Sequence, residues 1–231
     1  MPTTAARDEA PWEAGLHSAR AMAGPGLALI AVAVAAVLAY YYHLPTHAAL
    51  EQLATLRQRG GFVFSGISFM IFGGVLPFLI LRLTPATAAK HPWLQLVFFA
   101  IFWAWKGVEV DLLYRLQAVV FGAENSWPVV LKKMLADQLI YNPLYAAPYG
   151  VFLYAWKDAG FRWAAPFADL RAGRWYYRRI LPVMIAVWAV WIPTVCCVYA
   201  LPLALQLPLA SVMNCLWAIL FSHLTIRQNH G

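Results

Sequence analysis

Six apolar runs, each near the length of a bilayer crossing, divide this chain and constrain its fold more than any other feature. They cover residues 22–44, 62–83, 93–121, 130–156, 175–201 and 209–226. A membrane helix needs roughly 20 mostly apolar residues, and each run comes close to that length or exceeds it. The composition agrees: 62% of the 231 residues are hydrophobic and 12% are charged. A soluble domain carries about 25% charged residues, so a soluble enzyme is excluded. Disorder is excluded too, because disordered chains are polar and poor in aromatics. The expected fold is all-α, a polytopic helical membrane bundle of about six hydrophobic helices, some proline-kinked, with roughly four to six true spans. Residues 1–21 read as a polar N-terminal tail and residues 22–231 as a single helical transmembrane domain.

The runs differ in character. The first ends in Tyr40, Tyr41 and Tyr42, a cluster suited to the interface, where the ring is apolar and the hydroxyl wet. Asp8, Glu9 and Glu13 precede it against Arg7 and Arg20, whereas a signal peptide would want a basic start; an uncleaved span is expected. The second holds Ser65, Gly66, Ser68, Gly73 and Gly74, small residues that let helices approach closely in lipid. The third would be about 43 Å long at 1.5 Å per residue. It must tilt, or leave the hydrocarbon near Asp111. Pro143 and Pro148 interrupt the fourth, freeing the carbonyls of Leu139 and Leu144 if the helix is α. Such backbone is tolerated only against protein or water, so the fourth run is either a broken helix lining a cavity or a packed kink. Pro182 and Pro193 interrupt the fifth, and a linker is expected over residues 202–208.

The net charge of +7 and the pI near 9.5 do not point to nucleic acid, because the basic residues sit in short clusters flanking apolar runs. If all six runs cross, one side carries Arg7, Arg20, Arg82, Lys90, Lys157, Arg162, Arg171, Arg174, Arg178, Arg179 and Arg227. The other carries Arg57, Arg59, Lys132 and Lys133. By the positive-inside bias both termini are cytoplasmic or equivalent, in a bacterial or organellar inner membrane. Cys196, Cys197 and Cys215 lie inside apolar runs and read as buried thiols, with no metal spacing among them. His43 and His47 are separated by Pro45 and do not share a helical face; His17, His91, His223 and His230 are scattered. No GxSxG, HExxH or phosphate-cradling glycine loop occurs. No catalytic residue, metal or cofactor is assigned.

Five charges at membrane depth are the candidate polar path: Lys106, Glu109, Asp111, Arg115 and Asp137. Each costs roughly 2.5–3.5 kcal/mol to insert. Lys106 and Glu109 are spaced i,i+3, and Asp111 and Arg115 i,i+4, so each pair can close within one helix. At 3.6 residues per turn the two pairs face opposite ways, and one pore cannot be lined by both. Lys133 and Asp137 are also i,i+4 neighbours, a spacing that would lessen the cost of the carboxylate.

The segment LKKMLADQLIYNPLYAAPYGVFLY, residues 131–154, resembles the Mpv-seventeen-like family, named with the twenty-two-kilodalton peroxisomal membrane protein. The resembling features are Lys132 or Lys133, the Asp137–Gln138 pair, and Pro143 five residues after the glutamine. Further on, Trp191, the Leu201–Pro202 pair, Trp217 and Ser222 are similar to the family's closing pattern. Trp191-Ile192-Pro193 carries an inserted residue where the family has adjacent Trp-Pro, and the likeness covers about the last hundred residues. The resemblance implies a multi-pass, non-enzymatic protein associated with passage of metabolites or ions. It assigns Gln138, Pro143, Trp191, Pro202 and Trp217 mainly structural roles beside Asp137.

The leading expectation is therefore a pore-forming or solute-permeation protein for small metabolites or ions. Its partners would be the lipid bilayer and small solutes, and a homo-oligomer is admitted. The alternatives are a scaffold whose charges only pair helices, and an enzyme acting on lipid or isoprenoid through Asp111, Asp137 or His43.

Overall fold

Each apolar run becomes a helix or a chain of helices in the computed structural model, which describes residues 11–88 and 92–228. Among the described residues every regular element is helical, so the fold is all-α. α1 (Pro11–Ala21) leads into α2 (Ala23–Tyr42). α3 (Leu44–Phe69) continues through a π-helical turn, Met70–Val75, into α4 (Leu76–Leu83), with α5 (Pro85–Ala88) behind it. α6 (Leu94–Phe121) is followed by α7 (Trp127–Ala136), a π-helical segment Asp137–Ala146, and α8 (Ala147–Asp158). α9 (Ala164–Arg171) precedes the π turn Tyr176–Ile180, then α10 (Leu181–Tyr199) and α11 (Leu203–Gln228).

Three of these stretches, Ala23–Tyr42, Leu44–Leu83 and Tyr176–Tyr199, are long and apolar enough to cross a membrane, and Leu203–Ile219 is a shorter apolar helix. α6 and the α7–α8 chain have spanning length but carry charges. Leu27 and Leu38 on α2 and Ile101, Leu116 and Val119 on α6 point outward, exposed. An apolar surface this extensive suits lipid rather than water.

One expectation needs correction, and three other stretches are specified further. Residues 11–21 are helical, with α1 lying along α10, while the first ten residues of the expected tail lie outside the described residues. The 45–61 connection is helical as well, because Gly61 (φ 50°, ψ −134°) takes a backbone turn that costs glycine little and lets two helical pieces meet there. The linker expected at 202–208 shrinks to Leu201 and Pro202, with Pro208 inside α11. α6 runs unbroken past Asp111 to Phe121.

The small residues of the second run do what lipid-phase packing requires. A Cβ on Gly107 of α6 would sit 2.2 Å from the Ser65 carbonyl oxygen of α3, and one on Gly74 would sit 2.7 Å from the Phe99 carbonyl oxygen. Two helices in van der Waals contact through backbone alone hold each other by dispersion, which counts fully when no apolar transfer is gained. Above this contact Phe78, Phe98, Phe99 and Phe102 form an aromatic cluster packed on Tyr149, Tyr154 and Trp156 of α8. A second core joins α2, α10 and α11 through Leu29, Ala33, Val190, Val198 and Leu205.

Outside the bundle, Asp169 of α9 accepts bonds from Arg178 Nη1 (3.1 Å) and Arg179 Nε (2.9 Å). These hydrogen bonds hold its carboxyl below the usual carboxylate range. A depressed carboxyl stabilises the folded state at neutral pH and loses that contribution only as pH falls through its folded value.

Gly107→Ala is expected to destabilise the chain by about 1–3 kcal/mol or more through overpacking against backbone that cannot rotate away. Gly24→Ala, whose Cβ would meet nothing within 4 Å, should be neutral or mildly stabilising. Thermal unfolding of both variants in detergent micelles reads the contrast; equal midpoints would show that the close approach does not matter.

Candidate functional site

Pro143 and Pro148 set the geometry of the site. The helix containing them adopts the π register from Asp137, in which each N–H reaches the carbonyl five residues back, as Ala147 N–H does to Asn142 O. In this register the carbonyl freed by Pro143 is that of Gln138, not the expected Leu139; Pro148 stands in the first turn of α8, and the Pro143 carbonyl falls at the junction of the two registers. Both are recaptured by the fifth span: Trp188 Nε1 donates to Gln138 O at 2.8 Å, and Tyr176 Oη donates to Pro143 O at 3.0 Å. π-helical insertions of this kind recur at functional sites. Here the wider turn directs Asp137 and Gln138 to the interior, where both are buried.

A cavity of about 860 Å³ opens beside this segment, between α4, α6, α8, α10 and α11. Lys106 and Asp137, from two different runs, both line it, together with Gln138 and Asn142. Lys106 Nζ donates to Glu109 Oε1 at 2.8 Å and to Tyr141 Oη at 3.0 Å, and lies 5.1 Å and 4.9 Å from the ring centroids of Tyr141 and Tyr149. Glu109 also accepts the hydroxyls of Tyr141 and Tyr149. Asp137 accepts Tyr199 Oη at 2.7 Å and Gln138 Nε2 at 3.3 Å. Tyr199 stacks edge-on against Tyr114, centroids 5.3 Å apart; both rings are buried, and Tyr114 lines the cavity. The cavity also reaches Lys157 and Asp158, an ion pair at the foot of α8. An adjoining space of about 730 Å³ shares Asn142, Tyr154, Asp158 and Trp217 with it and extends to Asp169 and Arg179.

Asp111 and Arg115 are placed on the opposite face of α6, as helical spacing required. Asp111 is completely buried, paired with Arg57 of α3 and with Arg115 Nε at 2.9 Å, and it accepts Ser65 Oγ at 2.6 Å. This cluster fastens α3 to α6 and does not line the cavity. The residues singled out by family likeness converge elsewhere. Gln138, Trp191 and Trp217 line the cavity, with Trp191 and Trp217 edge-on at 6.2 Å. Pro143 lies inside the π segment, and Pro202 caps the approach to α11, its carbonyl accepting Leu205 N–H at 2.8 Å.

Sequence reasoning places Arg57 and Lys157 among the loop charges and singles out Lys133 as a neighbour of Asp137; all three are buried. For Arg57 no local signal exists, since Arg115, four residues on, already neutralises Asp111, and the turn at Gly61 that brings Arg57 there is tertiary. Lys133 does not pair with Asp137 as its spacing suggested. Its Nζ has no hydrogen-bond partner among the described residues, and the carboxylate is met by Tyr199 and Gln138. His43 and His47 take separate partners, Thr46 Oγ1 and Tyr40 O. Among the described residues no group of three His, Cys, Asp or Glu side chains could hold a metal ion.

Fold and site together define a helical bundle of membrane-spanning composition enclosing a charged, aromatic-walled cavity. No family model, curated protein or solved structure matches the chain.

Removing one partner of a buried ion pair costs about 3–5 kcal/mol, since the other charge is stranded. Asp111→Asn should therefore destabilise strongly, stranding Arg57. Arg57→Met should cost less, since Arg115 still pairs with Asp111. The double variant should be more stable than Asp111→Asn alone, as chemical unfolding in micelles would show; additive losses would mean that the two do not act as a pair.

Proposed function

We propose that the chain is an integral membrane protein that lets small solutes permeate, with the cavity as its vestibule and the structure in a closed form. The observation that carries this reading is the meeting of Lys106 and Asp137 in one cavity. Charged groups brought to membrane depth are costly, and a structural role for them would call for direct pairing. Lys106 is paired, with Glu109; Asp137 forms no ion pair among the described residues and faces open space. Polar side chains lining a passage set ion preference by their charge.

The Tyr114–Tyr199 pair is the constriction in this reading, and the passage widens toward Lys157 and Asp158. The bacterial or organellar inner membrane and the cytoplasmic placement of both termini belong to the same proposal. Burial of Arg57 and Lys133 leaves Arg59 and Lys132 as the basic residues of the other side, which strengthens the charge bias. The family likeness in residues 131–154 points in the same direction. A second reading, a scaffold without transport, is favoured by the Asp111 cluster, which is fully paired and away from the cavity.

Purified protein in planar bilayers should conduct, and Asp137→Asn should shift cation-to-anion selectivity toward anions. Tyr199→Phe, which removes the hydroxyl held by Asp137, should raise the open fraction. Absence of conductance from folded protein, or selectivity untouched by Asp137→Asn, would favour the scaffold.

A further inference from the structure

The cavity's charge balance and its walls select a class of ligand. Lys106 is neutralised by Glu109 at 2.8 Å and Lys157 by Asp158, so among the described residues Asp137 is the one lining charge without a counter-charge in contact. Its hydrogen-bond donors, Tyr199 and Gln138, are neutral. The surrounding walls are aromatic: Phe102, Trp103, Tyr114, Tyr141, Trp191 and Trp217 all face the space. Ring faces carry negative quadrupole potential and attract cations, most strongly where water is excluded.

We propose that this cavity is a binding site for a weakly hydrated organic monocation, of the alkylammonium type, held by Asp137 and the aromatic walls. The proposal rests on the cavity reading above and names its solute class. A small inorganic cation is disfavoured, because hard ions need about six or more oxygen ligands, preferably several of them carboxylates, whereas Asp137 is joined on the lining by neutral amides and tyrosines, Gln138, Asn142, Asn214, Tyr114 and Tyr141. A substituted ammonium sheds its water at little cost and gains from each ring face. An anion would approach an uncompensated carboxylate, while Lys106, the nearby cation, already donates to Glu109 and Tyr141 and lies against two tyrosine rings. The volume, about 860 Å³, falls in the range of small-molecule pockets.

The test uses the full chain in micelles of an uncharged maltoside detergent, titrated with phenyltrimethylammonium, benzenesulfonate and benzyl alcohol and read by tryptophan fluorescence and calorimetry. Phenyltrimethylammonium should bind at least about tenfold more tightly than either comparator. Asp137→Asn should abolish most of that preference, Asp137→Glu should keep it, and Trp191→Leu should weaken binding roughly threefold or more. Benzenesulfonate binding as tightly as phenyltrimethylammonium, or a preference unchanged in folded Asp137→Asn, overturns the proposal. Should Asp137→Asn lose its helicity, the ranking of the three probes on the unaltered protein decides alone. Cation binding without bilayer conductance would refute permeation and keep this inference; conductance without cation preference in binding would do the reverse.

Discussion

The two carbonyls left without helical partners beside Pro143 and Pro148 have to find donors inside the bundle, and that requirement organises everything around the cavity. Hydrocarbon offers no water to satisfy them. The chain meets the need by widening the helix to the π register and by bringing Trp188 and Tyr176 of the fifth span to Gln138 O and Pro143 O. Widening displaces the backbone locally, so this segment cannot pack as tightly as an α-helix would. The space left beside it is walled by α6, α10 and α11 and contains Asp137. A proline-broken helix and a buried carboxylate are thus one feature seen from two sides.

α6 carries two charge systems that do not mix. Lys106 and Glu109 turn toward α8 and the π segment, under a roof of tyrosines; Asp111 turns toward α3, between two arginines. The second system sits where Gly107 brings α6 against Ser65 backbone. Close approach excludes lipid and water from the Arg57–Asp111 pair, and the low effective dielectric there strengthens it, while Arg115 reaches the same carboxylate from a partly exposed position. The glycine contact and the arginine clamp therefore support each other, which leaves the cavity-facing side of α6 free of that structural duty.

Much of this was readable from periodicity and length. Run lengths set the helices, the 3.6-residue turn put the two α6 pairs on opposite faces, and the small residues of the second run marked a close helix contact. The failures share a cause. Arg57, Lys133 and Lys157 look like interfacial flanks in a linear reading, since long basic side chains near run ends ordinarily reach water. Only the tertiary turn at Gly61 reveals that Arg57 is folded back onto Asp111. The carbonyl freed by Pro143 was misplaced by one residue because α spacing was assumed where a π segment forms. Lys133 and Asp137 share a spacing that suits pairing, but a tyrosine from a distant helix reaches the carboxylate, and no local rule anticipates a competitor 62 residues away.

Tyr176, Trp188 and Tyr199 all stand on the fifth span and all donate to the stretch Asp137–Pro143. Three fasteners spread along one rod and seized by a short strip of another remove its freedom to slide or spin. The π segment and α10 thus behave as a single stiff plate. A movement that enlarged the enclosed space on that side would have to tear several bonds at once, whereas displacement of α4 or α11 would break none of them. That asymmetry makes the wall opposite the plate the easier one to displace, unless the bond from Tyr199 to Asp137 is released first.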